Sequence, residues 1–158
     1  MQILALDISI HCGWALGRGW EQPRFGVHHL PSFGDGMFGT SFASFHNWLA
    51  DMMTVHSPDQ MIFEAPLVAH GPGINAARLS LGLAGIAEMV AHVRGVTASE
   101  VMVATVRKHF CGAGHAKKED VGFVCRERGW MVSDHNAADA LAVLDFARHA
   151  LLPQGAPA

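Results

Sequence analysis

An ionisable carboxyl set into the apolar opening run constrains this chain more than any other feature. Ile3-Leu4-Ala5-Leu6 leads into Asp7, and after Ile8-Ser9 a second run follows through His11-Cys12-Gly13-Trp14-Ala15-Leu16-Gly17. An apolar run, an acid and another apolar run read as a buried central strand hairpinned to its neighbour. Asp7 then lies at the middle or far end of that strand. An ionised acid removed from water there must be paired, metal-bound or neutralised.

The 158 residues are enough for one domain with a sizeable core, expected over 1–152, with 153–158 a frayed tail. Half of the residues are apolar and 16% are charged, which excludes a disordered chain. A net charge of -3 decides nothing about nucleic acid, so the distribution of charge matters more. Cys12, Cys111 and Cys125 form no CxxC pair and read as reduced core thiols of a cytosolic protein. No leader and no apolar run approaching a membrane span is expected, which gives a cytoplasmic protein with no membrane partner. The eleven histidines are scattered without ligand spacing, which argues against a histidine zinc site.

Arg24 to Leu30 reads as a third antiparallel strand, and Pro31 to Gly39 as a Gly- and Phe-bearing loop. Thr40 or Ser41 is expected to cap a helix with Phe42, Phe45, Leu49 and Met52 on one stripe. Gln60-Met61-Ile62-Phe63-Glu64 is a short buried strand that delivers a carboxylate at its end and is stopped by Pro66. After a Gly71-Pro72-Gly73 loop, Ile74 to Arg94 is a long helix, apolar over most of its circumference. It either lies under the sheet or joins a second copy. Val101-Met102-Val103 is expected as a strand, Thr105 to Gly112 as a short helix and Ala116 to Arg128 as another. Trp130-Met131-Val132 reads as extended. Asp134 or Asn136 caps a last helix from Ala137 to about Leu151, with Leu141, Val143 and Leu144 for packing. The order gives an α/β layered domain, three antiparallel strands first and parallel ones after, joined by helical crossovers.

Three acids share a setting: Asp7 on the first strand, Glu64 ending the first crossover strand, and Asp139 in the first turn of the last helix. Ligand sites in such sheets gather at the carboxyl ends of adjacent strands. Three carboxylates converging there repel unless a cation binds, and oxygen-only ligands suit Mg²⁺ or Mn²⁺. Taken singly, each acid also fits a plain structural role: a turn acid, a capped strand end, a helix-dipole acid.

Leu4-x-Leu6-Asp7-x-Ser9 with Gly13-Trp14-Ala15, then Phe63-Glu64, then Ala138-Asp139-Ala140-Leu141-Ala142 resemble the RuvC family of Holliday junction resolvases. The stretch from Val106-Arg107-Lys108 through Gly112-Ala113-Gly114, Ala116, Lys117-Lys118 and Val121 is similar to that family's basic segment, and Asn75 to Gly85 to its long helix. The resemblance covers nearly the whole chain in order, and the chain looks more like the phage-encoded branch than the bacterial housekeeping enzyme. It implies a ribonuclease H-like fold with a five-stranded mixed sheet flanked by helices. It further implies a structure-selective endonuclease resolving four-way or other branched DNA by two-metal-ion hydrolysis, which leaves 5′-phosphate and 3′-OH ends. Two Mg²⁺ ions, replaceable by Mn²⁺, are implied at Asp7, Glu64 and Asp139, with Arg107 and Lys118 near the scissile phosphate and Lys118 stabilising charge. A C2 homodimer, in the cytoplasm of a bacterium or phage-infected cell, is implied as well.

Two positions depart from the pattern. The fourth ligand, Asp or His in the family, falls on Asn136, whose amide oxygen carries no charge; either it ligates or Asp134 takes over. An aromatic residue expected three after the glutamate is Leu67 here.

From Arg107 to Arg128, six basic residues stand against Glu119, Asp120 and Glu127. This is either a solvated helix face or a phosphate-gripping one. The Gly112-Ala113-Gly114 turn is expected to expose backbone N–H groups, which favours the second. Lys108, Lys117 and, on the long helix, Arg78 and Arg94 extend the candidate DNA surface. Three other functions compete. A sugar-kinase or actin-like ATPase shares the first hairpin but needs a second domain and an adenine site. A non-catalytic junction-binding protein fits Asn136 but not the retained acids. A relaxed nicking nuclease keeps the chemistry on looser substrates.

Overall fold

The computed structural model describes residues 1–32, 38–66 and 73–153. In chain order these form β1 (Gln2–Asp7), β2 (His11–Arg18), β3 (Arg24–His29), α1 (Gly39–His56), β4 (Gln60–Glu64), α2 (Gly73–Val93), β5 (Thr97–Val101), α3 (Val103–Cys111), α4 (Lys118–Glu127) and α5 (His135–Leu151). The strands make one sheet in the order β3-β2-β1-β4-β5. β2 pairs antiparallel with both β1 and β3, while β4 pairs parallel with β1 and β5. This is the mixed sheet expected from the sequence.

Strand alternation sends side chains to two separate cores. Leu4, Leu6, Met61 and Phe63 pack with Phe45, Leu49, Leu83 and Ala87 of α1 and α2. Ile3, Ala5 and Ile62 pack on the other face with Leu141 and Leu144 of α5, Val106 of α3 and Val121 of α4. Asp7 and Glu64, next in the alternation after Ala5 and Ile62, therefore belong to the α5 face.

α5 lies between the sheet and the α3–α4 layer, so it is buried nearly all round from Ala137 to Arg148. Its alanines permit close approach, and β2 gives way with glycine. A Cβ on Gly13 would stand 1.9 Å from the Asn136 carbonyl oxygen, and one on Gly17 would strike the Arg148 guanidinium.

Several element boundaries differ from the sequence reading. The last strand is Thr97–Val101 and not Val101–Val103; it is a short edge strand of mostly exposed residues, so it lacks the apolar run that marks a buried one. Met102 is already the extended residue before α3. Trp130 lies outside the sheet, its ring stacked on Phe110. α1 begins after Phe38 without a side-chain cap, and Ser41 instead donates its hydroxyl hydrogen to the Pro31 carbonyl. The expectation about membrane spans also needs correcting: α2 is long and apolar enough to cross one by length and composition. One face of it buries Leu79, Leu83, Ala84, Ala87, Val90 and Ala91 in the protein. Leu67, Gly71, Pro72, most of the 31–39 loop and the tail from 154 onward lie outside the described residues.

Candidate active site

Parallel pairing runs from Ile3 with Gln60 to Leu6 with Phe63, so Asp7 and Glu64 follow side by side at the carboxyl ends of adjacent strands. Asp139 reaches them from the first turns of α5, whose start is pressed against β2 at Gly13. Asp139 is 5% exposed, while Asp7 and Glu64 are half-buried.

The electrostatics show the three acids to be one group. Burial pushes the Asp7 carboxyl up to about 7, helped by the charge of Asp139 and opposed by Lys118 and Arg107. Burial, then Asp7 and Asp139, push Glu64 up to about 8 against the same two basic residues. Burial also raises Asp139, with Arg107, Lys118 and His135 pulling the other way. Carboxyls brought together in a shielded place without enough positive charge have this signature. The donor set is all oxygen and the deficit is positive charge, so the residues fit a hard divalent cation.

Arg107 is the nearest base: its Nη2 lies 3.9 Å from Asp139 Oδ1, and its Nη1 donates to the Ala116 carbonyl at 2.9 Å. The second bond ties α3 to the segment entering α4, where Lys118 is the first helical residue and exposed. Lys108 and Lys117 are exposed on the same two helices. Gly112 takes the left-handed conformation that closes α3, and its N–H donates to the Lys108 carbonyl. That N–H is therefore not exposed for phosphate, contrary to the sequence reading. Gly114 approaches α3, where an added Cβ would sit 3.1 Å from the Ala104 carbonyl oxygen. Arg78 is not brought to this ridge; its guanidinium lies over the Phe38 ring in the layer on the opposite face of the sheet. Arg94 donates to Thr54 Oγ1.

Asp134 caps α5: its Oδ1 accepts from the Asn136 backbone N–H at 2.7 Å and from Asn136 Nδ2 at 3.1 Å. Burial tends to raise Asp134, but these bonds, one from the Ala137 N–H and the neighbouring His135 together hold it below the usual range.

One arrangement escaped the sequence reading. The histidines are not all scattered: ligand atoms of His109, Asp145 and His149 lie within 4.8 Å of one another, further along α5 and apart from the three acids. Asp145 and His149 stand four apart on one helix, a visible spacing, but His109 arrives from α3 and nothing local marks it.

No protein-family model matches the chain. It is 30% identical over 151 residues to the crossover junction endodeoxyribonuclease RuvC of Ruegeria pomeroyi, across 90% of this chain and 88% of that one. It is 31% identical over 151 residues to the same enzyme of Cereibacter sphaeroides, across 90% and 86%. Among solved structures, Thermus thermophilus RuvC superposes with a TM-score of 0.76 at 21% identity, covering 95% of each chain. The T. thermophilus RuvC complex with a Holliday junction substrate gives 0.74 at 20% identity, covering 95% and 96%. The structural likenesses show the ribonuclease H-like fold; the sequence relatives carry the family.

Proposed function

The chain belongs to the RuvC family of crossover junction endodeoxyribonucleases, a family of metal-dependent nucleases, and from that membership we propose which residues cut which DNA. The substrate is branched DNA, a four-way junction above all. The cut is in-line phosphodiester hydrolysis that leaves 5′-phosphate and 3′-OH ends. Asp7, Glu64, Asp139 and Asn136 hold the cations, two Mg²⁺ with Mn²⁺ as substitute. Bound there, the ions would supply an activated water and charge stabilisation at the leaving oxygen.

One observation carries this reading: acids from β1, β4 and α5 meet in one shielded place and raise one another's affinity for protons. Arg107, held by the Ala116 carbonyl, sets a positive charge beside Asp139 that opposes the upward push of burial on its carboxyl. Lys118, the first residue of α4, extends its ammonium to the scissile phosphate and stabilises charge developing there. Asn136 is favoured over Asp134 as fourth ligand, because the Asp134 carboxylate is committed to capping α5. Asn136 spends its amide N–H on Asp134, which leaves its amide oxygen for a cation. Lys108 and Lys117 extend the phosphate-gripping ridge as side chains, and the turn through Gly112 and Gly114 joins the two helices that carry them; Arg78, over Phe38 in the α1–α2 layer, takes no part in it.

The working unit is a cytoplasmic C2 homodimer of one nuclease domain, residues 1–152, since two symmetric cuts need two sites facing one way. Ile74, Leu81 and Met89, apolar yet exposed on α2, support that helix as part of the interface.

Incubation with a labelled four-way junction, a nicked fork and linear duplex, in Mg²⁺ or EDTA, tests the function. Paired cuts confined to the junction and dependent on Mg²⁺ are expected. Cutting of every substrate would make the chain a relaxed nuclease, and a mobility shift without cutting would make it a binding protein.

A further inference from the structure

We propose that Asp145 is a positioning residue for the nuclease site, a buried carboxylate that ties α3 and the end of α4 to α5 and so sets Arg107 and Lys118 against Asp139. Asp145 is 3% exposed, six residues beyond Asp139 on α5, about 9 Å along the helix. Its Oδ2 accepts from His109 Nε2 at 2.9 Å, and its Oδ1 accepts from Arg128 Nη1. His109 stands two residues from Arg107 on α3. Arg128 caps the helix that Lys118 begins, and its guanidinium is fixed over the Phe110 ring at 4.6 Å and the Trp130 ring at 5.5 Å. Each helix that carries a basic residue of the site thus sends one donor to the same carboxylate on the helix that carries the acid.

A zinc ion is the other reading of two imidazoles and a carboxylate at this spacing. Charge decides against it. Arg128 already neutralises Asp145, the buried Arg148 guanidinium feels the same carboxylate, and His149 Nδ1 has the Asp145 carbonyl at 2.9 Å. A dication would enter beside two guanidinium groups, with Asp145 the one carboxylate at the cluster and Glu21 the other acid acting on Arg148.

The inference rests on the nuclease reading, and its test separates the two. Asp145→Asn keeps the shape and removes the charge. At a temperature where circular dichroism shows both proteins fully folded, the junction-cleavage kcat should fall about tenfold while junction Kd changes less than about threefold. On an Arg107→Gln background the same change should cost less than about twofold, because the residue it acts through is gone. Independently of cleavage, hydrogen exchange at the buried Arg107 Nε–H, followed by NMR, should quicken about tenfold or more in Asp145→Asn. If Asp145→Asn does not fold, His109→Ala, which removes one exposed arm, takes its place in all three measurements. An unchanged kcat, a full loss again on the Arg107→Gln background, or unaltered exchange overturns the proposal. So does one zinc per chain, bound in millimolar Mg²⁺ and lost in His149→Ala. A wild-type protein that cuts nothing sinks the nuclease reading, while the exchange measurement still judges the clamp.

Discussion

Asp7 and Glu64 hold their protons up to about 7 and about 8 because burial and neighbouring carboxylates oppose ionisation. Between the ordinary carboxylate range and those values the folded, metal-free protein binds more protons than the unfolded chain. Its stability should therefore be highest in acid near the ordinary carboxylate range, decline as pH rises from there, and level off above about 7 to 8, where both acids have ionised in the folded protein too. Mg²⁺ binds the deprotonated acids, so the stabilisation it gives should grow over the same window. Asp7→Asn removes the unfavourable charge: in EDTA at pH 8 it should raise Tm by about 2–6 °C by calorimetry. The same variant should abolish cleavage and leave junction binding intact; loss of folding or binding would mean that Asp7 is structural. Asn136 and Asp134 separate on their hydrogen bonds. Asn136→Asp adds a charged ligand and should lower the Mg²⁺ needed for half-maximal cleavage, Asn136→Ala should raise it, and Asp134→Asn, still able to cap, should change it little. A dependence that moved with Asp134 alone would exchange the two roles.

At the scale of elements, the site depends on how closely α5 lies against the hairpin of β1 and β2. Gly13 faces the Asn136 carbonyl so tightly that a Cβ would sit 1.9 Å away, and a backbone carbonyl cannot rotate aside. Gly13→Ala should therefore push the start of α5 outward at a cost of about 1–3 kcal/mol or more, read as a lower Tm. Cleavage should drop about tenfold or more, because Asn136 and Asp139 move away from Asp7. Full activity in Gly13→Ala would show that α5 need not be so near. The elements were largely legible: β1, β2 and β4 announce themselves as apolar runs, and Asp7, Glu64 and Asp139 stand out because each interrupts or ends one. β5 did not, because an edge strand of Thr97, Ser99 and Glu100 carries no apolar run. The Asp145 cluster was hidden for another reason. Its members come from three helices, and a pairing over 36 positions, His109 with Asp145, leaves no local trace.

For the molecule as a whole, the sheet separates two tasks. The α3–α4–α5 face carries the acids and the basic ridge; the α1–α2 face packs a second core and leaves Ile74, Leu81 and Met89 exposed on α2. Should that stripe meet a second copy, Leu81→Glu with Met89→Glu would give monomers by light scattering and paired cuts would become single nicks. Dimers persisting in the double variant would move the interface elsewhere. All of this depends on residues 7, 64 and 139, far apart in sequence, acting as one cation pocket. Mn²⁺ binding to Asp7→Asn, Glu64→Gln and Asp139→Asn, followed by electron paramagnetic resonance at pH 8, tests that most directly. Each substitution should weaken binding about tenfold or more, as removal of one ligand from a shared site does. Wild-type affinity in any one of the three, with its fold intact, would contradict the account.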